Sequence, residues 1–129
     1  TSRALLALHG SEGDLAQAAA EWLVHTQRRD GGWGGGPGHE KSSIEETALA
    51  IEALAEFLQS LNAARGREIA ASFTRGVNWL IERVEDDSWL QPSPIGFYFA
   101  KLWYYERLYP MIFTVGALGR AARVFAQPA

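Results

Sequence analysis

EWLVHTQRRDGGW, residues 21–33, and NWLIERVEDDSW, residues 78–89, repeat one pattern at a nearly fixed offset. Trp22-Leu23 recurs as Trp79-Leu80, 57 residues on, and Trp33 recurs as Trp89, 56 residues on. Each copy ends an amphipathic helix and places a second tryptophan just past a polar turn. A period of this length reads as stacked helical units, none able to bury its apolar face alone.

Outward from the two copies, the remaining segments also read as helices. One helix is expected to end near His9, before the turn Gly10-Ser11-Glu12-Gly13. Leu15, Ala18, Ala19, Trp22 and Leu23 then follow helical spacing to about Gln27. Arg28-Arg29-Asp30 and the glycine-rich run from Gly31 to Gly38 break it and form a long loop. Ser43 with Glu46 three residues later is a capping box, opening a helix with Ala48, Ile51, Leu54, Ala55, Leu58 and Leu61 on one stripe. That helix is expected to stop at Ala64-Arg65-Gly66. The next carries Phe73, Val77, Leu80, Ile81 and Val84 and breaks at Glu85-Asp86-Asp87-Ser88. Gln91-Pro92-Ser93-Pro94 is a second loop. Two more helices are expected, roughly 97–108 and 111–125, separated at Pro110. No segment sustains period-two alternation, so the fold class is all-α, with helices paired as antiparallel hairpins. Connections alternating between opposite ends suit an α/α-toroid of inner and outer helical rings; a linear solenoid of helix pairs is the alternative, although its repeats are usually shorter.

Composition narrows the function classes. The chain has 129 residues, 47% of them apolar, which suffices for one core. Its opening, TSRALLAL, lacks an initiator methionine and reads as the end of a helix already under way, so residues 1–129 are expected to be one segment of a larger protein. A formal net charge of -3, without a dense basic stripe, argues against nucleic acid as a partner. Cysteine is absent, which excludes disulfides and thiolate zinc sites. His9, His25 and His39 are dispersed without metal-site spacing, so neither a metal nor a cofactor is expected. No apolar run is long enough for a membrane span. Five Trp, four Tyr and six Phe make a heavy aromatic load, most of it after residue 88.

A lone tryptophan usually reports core packing. Here the two copies keep a grammar: aromatic-Leu, three residues, a turn residue, then Gly or Ser and Trp. Trp22-Leu23, Gln27 and Gly32-Trp33 together resemble the QW motif of the squalene–hopene cyclases and oxidosqualene cyclases, class II terpene cyclases. In that family the Gln closes an outer helix and the Trp stacks over it; an amide can satisfy terminal backbone groups while an indole shields them from water. The structural set is Trp22, Gln27, Trp33, Trp79 and Trp89, with repeats at about 19–33 and 75–89. GGWGGGPGHEKSSIEETALAIEAL, residues 31–54, is similar to the family's GGWGE–loop–STPSQT–helix segment. IGFYFAKLWYYERLYPMIFTVGALGR, residues 95–120, is similar to its aromatic C-terminal segment. Three departures mark a divergent member: Val84 replaces the motif's Gln, Ser88 its Gly, and Glu46 stands where the family has Gln.

The resemblance implies the C-terminal part of an α6/α6-barrel-like toroid that encloses an apolar cavity for carbocationic cyclisation of squalene or another polyprenoid. Aromatic faces steady a cation without trapping it. Trp33 is the leading candidate for the cavity wall, followed by Phe97, Tyr98, Trp103, Tyr104 and Tyr105. On a helix, Phe97 with Tyr104 or Tyr98 with Tyr105 would share a face. The family's acid lies in a DxDD motif that this chain lacks; Glu85-Asp86-Asp87 reads as a solvated turn. No catalytic residue is therefore assigned, and the isolated segment is expected to be inactive. Glu45 and Glu46 are explained by capping and the helix dipole, with a polar role at the cavity mouth as the competing reading. Prenyltransferase β-subunits share the toroid but need a zinc cysteine. A non-catalytic helical-repeat binding domain is the alternative function. The resemblance also implies a cytoplasmic location with peripheral membrane contact, and an excised segment should associate with the rest of the toroid or with itself.

Overall fold

The structure is a computed structural model, which describes residues 2–7, 14–34, 41–60, 66–97 and 102–128; side chains are described at all of these except 5–7, 60, 93–97 and 102–105. Five helices form the framework: α1 (Ser2–Ala7), α2 (Asp14–Thr26), α3 (Ile44–Ser60), α4 (Arg67–Glu85) and α5 (Leu108–Phe125). A 3-10 turn, Ser88–Leu90, and a two-stranded hairpin, β1 (Ser93–Phe97) and β2 (Leu102–Glu106), join α4 to α5. The framework is all-α and consists of helical units, in keeping with a segment of an α/α-toroid.

The alanine-rich α3 lies at the centre. More than half of its circumference is covered: Thr47, Ala48, Ala50, Ile51, Ala53, Leu54, Ala55 and Phe57 are all buried, where the sequence pattern promised one narrower stripe, and Glu45, Leu49, Glu52, Glu56 and Gln59 mark the remaining side. Small residues let α1, α2, α4 and α5 approach it from several sides. α4 shows the cleanest amphipathic face, with Ile69, Ser72, Phe73, Gly76, Val77 and Leu80 buried at helical spacing. Ile81, expected on that face, is instead exposed. α5 buries Pro110, Thr114, Ala117 and Ala121, and Arg120 pairs with Glu56 at 2.9 Å and Glu52 at 3.9 Å on α3.

Three expectations are corrected. First, α2 buries Ala16, Ala20 and Leu23, whereas Leu15 and Trp22 point to solvent. The helix presents its small residues to the core, and its larger apolar ones form a second, uncovered stripe. Second, the helix expected over 97–108 is the β1–β2 hairpin, antiparallel with Ile95 opposite Tyr104 and Gly96 opposite Trp103. The aromatic run Leu102-Trp103-Tyr104-Tyr105 suits a strand. Pro94 and Gly96 in β1, and the absence of an Asn-Gly or Asp-Gly turn, had hidden the hairpin signature. Third, α5 starts at Leu108, before Pro110. The proline sits in the first turn, where its missing N–H costs no helical hydrogen bond. His9, His39 and Leu61 lie outside the described residues.

Candidate functional site: the tryptophan groove

The loop after α2 is built around two side chains, Gln27 and Trp33. Gln27 Nε2 donates to the Gly31 carbonyl at 2.8 Å and to the Ser72 carbonyl of α4 at 2.8 Å. Its Oε1 accepts from the Ser72 hydroxyl at 2.8 Å and from Arg75 Nε and Nη2 at 3.0 and 2.6 Å. One amide thus closes the turn and ties it to α4. Gly31 makes the tight return possible, at φ +97°.

Trp33 is held at every polar atom. Its N–H donates to Thr47 Oγ1 at 2.9 Å, its carbonyl accepts from the Ser43 amide at 2.9 Å, and Nε1 donates to the Leu23 carbonyl at 2.8 Å. Leu23 lies in the last turn of α2, where carbonyls have no helical donor. The indole therefore satisfies the end of α2, and the glutamine bridges outward to α4. The far edge of the indole lies on Gly76: a Cβ there would fall 2.6 Å from Cζ3 and 3.2 Å from Cη2 of Trp33. Glycine inside a helix costs about 1 kcal/mol relative to alanine, and this contact accounts for its presence in the middle of α4.

Asp30 organises the other side of the loop. Burial works against its charge, but hydrogen bonds from the Gly32 amide, the Ser42 hydroxyl and Trp79 Nε1, with Arg28 nearby, outweigh it and hold the carboxyl below its ordinary value. The Trp79 bond to Asp30 Oδ2 is 3.2 Å, and Arg83 stacks 4.8 Å from the Trp79 ring centre. Ser43 and Glu46 form half of the expected capping box. The Glu46 amide donates to Ser43 Oγ at 3.2 Å. The Ser43 amide is already taken by Trp33, so Glu46 accepts the Ser43 hydroxyl, also at 3.2 Å.

Trp33, itself only 5% exposed, is among the residues lining a half-open groove of about 320 Å³ between α1, α2 and α3. Trp22, Leu23, Leu49 and Ala50 supply the apolar surface, and Arg3, Thr26 and Glu46 are polar groups on it. Its size and its mix of aromatic wall and few polar groups suit a small apolar ligand. Trp22, expected among the structural residues, is 51% exposed and also lines this groove. Glu46 combines its capping bonds with a place at the groove.

The other aromatic candidates lie on the hairpin. Phe97 and Tyr104 occupy alternate register positions of one set, with Ile95, Leu102 and Glu106; Trp103 and Tyr105 occupy the other, opposite Gly96 and Pro94. Tyr98 lies outside the described residues. In the second repeat, Trp79 is buried and bound to Asp30, while Trp89 Nε1 is buried without a hydrogen-bond partner. Glu85, Asp86 and Asp87 are exposed, and Asp86 accepts from the Ser88 amide at 2.9 Å. Ser72, Arg75 and Gly76 complete the site and were missed from sequence; the mid-helix glycine was the one signal that marked them.

Comparison with known proteins agrees with this organisation. Residues 2–123 match the squalene-hopene cyclase C-terminal domain family. A type B diterpene cyclase of Mycobacterium tuberculosis is 29% identical over 84% of the chain and 18% of its own length. Uncharacterized proteins of Bradyrhizobium diazoefficiens and Sinorhizobium fredii are 39% and 36% identical, each over 54% of the chain and 14% of their own length. The chain therefore spans under a fifth of each of these relatives. No solved structure matches it. With the match running through both tryptophan repeats and into α5, the chain belongs to the squalene-hopene cyclase C-terminal domain family.

Proposed function

We propose that this chain is the C-terminal part of a class II terpene cyclase and supplies aromatic wall to an apolar cavity in which a polyprenoid cyclises. In that chemistry an acid adds a proton to a terminal alkene or epoxide, ring closures pass the cation along the chain, and loss of a proton or capture of water ends the reaction. The sequence contains no Asp-X-Asp-Asp run, so the acid belongs to another part of the full-length protein. This chain's share is to exclude water and to face the moving cation with ring quadrupoles. The observation that carries the reading is Trp33: a buried indole, fixed at all its polar atoms, that reaches the lining of a groove. A fixed ring loses no freedom when the cation arrives, which is the economy of a preorganised site.

Phe97, Tyr98, Trp103, Tyr104 and Tyr105 are assigned in this proposal to the wall as well. Trp22, Gln27, Trp33, Trp79 and Trp89 are assigned to a QW-type scaffold. The relative from Mycobacterium makes a diterpene precursor one candidate substrate beside squalene. The exposed stripe Leu108, Ile112 and Val115 of α5, with Leu15 and Trp22 of α2, is where further toroid helices would pack, or a second copy if the segment stands alone. Membrane contact in this reading is peripheral, from the cytoplasm; among the described residues, no helix is long and apolar enough to cross a bilayer.

The test is product analysis with the full-length protein, offered squalene and C20 polyprenoids. Cyclised hydrocarbon or alcohol is expected, and Trp33→Ala should reduce turnover well beyond Trp33→Phe. A cation–π contact of about 0.5–2 kcal/mol corresponds to roughly 2- to 30-fold in rate. A full-length protein without an Asp-X-Asp-Asp acid, and without cyclised product from any polyprenoid, would leave the non-catalytic binding domain as the function.

A further inference from the structure

Trp33 is buried, and its ring packs directly on Gly76 of α4. Its backbone is bonded to Thr47 and Ser43, and its Nε1 to the Leu23 carbonyl. Its six-membered ring lies against Gly76 so closely that a Cβ there would stand 2.6 Å from Cζ3, 3.2 Å from Cη2 and 3.3 Å from Ile51 Cγ1. A separation under 3 Å is far inside carbon–carbon contact distance. Ile51, itself fully buried, closes that side. Trp33 also lines the groove, together with the half-exposed Trp22. A side chain at position 76 therefore requires the indole or α4 to shift.

We infer that Gly76 sets the depth of the groove, and so the size of apolar ligand it admits, through how far it lets Trp33 withdraw. The inference rests on the groove being the binding wall described above, but its geometric half stands apart from that reading. Gly76 touches no ligand; it is a positioning residue. The ligand class is an uncharged hydrocarbon chain, matched to a surface of two indoles, Leu23, Leu49 and Ala50. A groove with its floor raised still accepts a thin, short chain and loses contact selectively with a longer or more branched one.

Two measurements test this on the purified protein. In the first, 5-fluorotryptophan is incorporated and 19F NMR compares wild type with Gly76→Ala, the Trp33 and Trp22 signals being assigned by Trp33→Phe and Trp22→Phe. Both signals should move. If they stay in place while the variant remains folded, the inference is overturned. In the second, tryptophan fluorescence follows binding of geraniol and of geranylgeraniol. Gly76→Ala should weaken geranylgeraniol at least tenfold and geraniol less than twofold. Gly76→Ala with Trp33→Phe should recover most of the geranylgeraniol affinity, because phenylalanine lacks the ring edge that the new methyl strikes. Trp22→Ala should weaken both ligands without that size dependence. Equal loss for both ligands in Gly76→Ala, or no rescue by Trp33→Phe, overturns the inference while the groove remains a binding site. Moved fluorine signals in a protein that binds neither alcohol would support Gly76 as the residue that seats Trp33 and defeat the binding-wall reading.

Discussion

The loop that ends α2 and the turn that ends α4 start from the same sequence grammar and reach opposite solutions. At Gln27–Trp33, the glutamine amide bonds to Ser72 and Arg75, 45 and 48 residues away, and the tryptophan bonds to Leu23 and Thr47. At Val84–Trp89, the backbone bonds are local: Asp86 N to Glu82 O at 3.0 Å, Asp87 N to Val84 O at 3.3 Å, Leu90 N to Asp87 O at 3.1 Å. Val84 has nothing to offer a neighbour, and Trp89 Nε1 has no partner. Asp87 carries the reversal in the left-handed region, at φ 60°, where the first loop uses Gly31. A side-chain amide that both donates and accepts turns a helix end into a tie between helices. Without it the turn closes on itself and its tryptophan is only packed.

The strongest way to break this contrast is to remove the amide. Gln27→Ala strips the buried Ser72 hydroxyl of its acceptor and the buried Gly31 carbonyl of a donor. Buried groups left unpaired cost about 1–3 kcal/mol each, so a loss of about 2–4 kcal/mol is expected in urea unfolding. Adding Ser72→Ala should return part of it, since one orphaned group disappears. A loss no larger than a surface substitution would mean that the loop holds α4 by packing alone.

Next comes the anchored indole. Trp33→Phe keeps an aromatic ring but removes the donor to the Leu23 carbonyl and the ring edge that lies on Gly76. One buried neutral hydrogen bond with its acceptor orphaned amounts to about 1–3 kcal/mol, partly offset if water reaches the helix end. Amide hydrogen exchange should rise over the last turn of α2 and leave the core of α3 unchanged.

How much of this could be read beforehand follows from the same contrast. The repeat marked Gln27 and Trp33 because side-chain chemistry at a helix end has a short-range signature. It did not say which partner each atom would take. The division of labour, with the indole on the α2 carbonyl and the amide on α4, depends on packing between distant segments. Helix existence was legible from period and caps: α4 falls where the sequence put it and α3 starts just after the Ser43 cap, while its expected stop at Ala64-Arg65 lies outside the described residues. The inward face of α2 was misjudged because size was read as burial, whereas Ala16 and Ala20 are buried with Leu23 while Leu15 and Trp22 are exposed. The hairpin escaped because Pro94 and Gly96 interrupt the pattern of β1 and no Asn-Gly or Asp-Gly marks the turn. Gly76 was visible as an anomaly, and only the fold shows the ring it accommodates.

Asp30 joins the two repeats through Trp79, and its expected effect is smaller. Its folded pKa is lowered by hydrogen bonds that burial only partly opposes. The contribution is therefore fully present above the ordinary carboxylate value and is lost as pH falls through the lowered folded value. Asp86 is lowered too, by the Ser88 hydroxyl and amide, and acts in the same window. Asp30→Asn isolates the linking residue: it should flatten stability between about pH 5 and pH 2 and cost about 1 kcal/mol or less at neutral pH, because exposed charges are screened. Asp30→Asn should alter the Trp79 environment in near-UV circular dichroism more than Asp86→Asn, which reaches Trp79 only through Arg83. Identical spectra for the two variants would remove Asp30 as the link between repeats.

The smallest effect is the most discriminating, because it repeats a substitution already made in the first copy. Trp89→Phe removes an indole N–H that is buried and unpaired. A desolvated donor without an acceptor destabilises the fold by its presence, so deleting it recovers that penalty while the smaller ring gives up some apolar contact. The two terms are of similar size, and the net change should lie within about 0.5 kcal/mol of zero, in either direction. The same exchange at Trp33 removes a donor in use and carries no such recovery. Measured side by side, Trp→Phe at the two positions should differ by at least about 1 kcal/mol. Equal losses would mean that Trp89 Nε1 meets an acceptor in solution, and the eroded copy would then be a second tie between helices rather than a turn closed on itself.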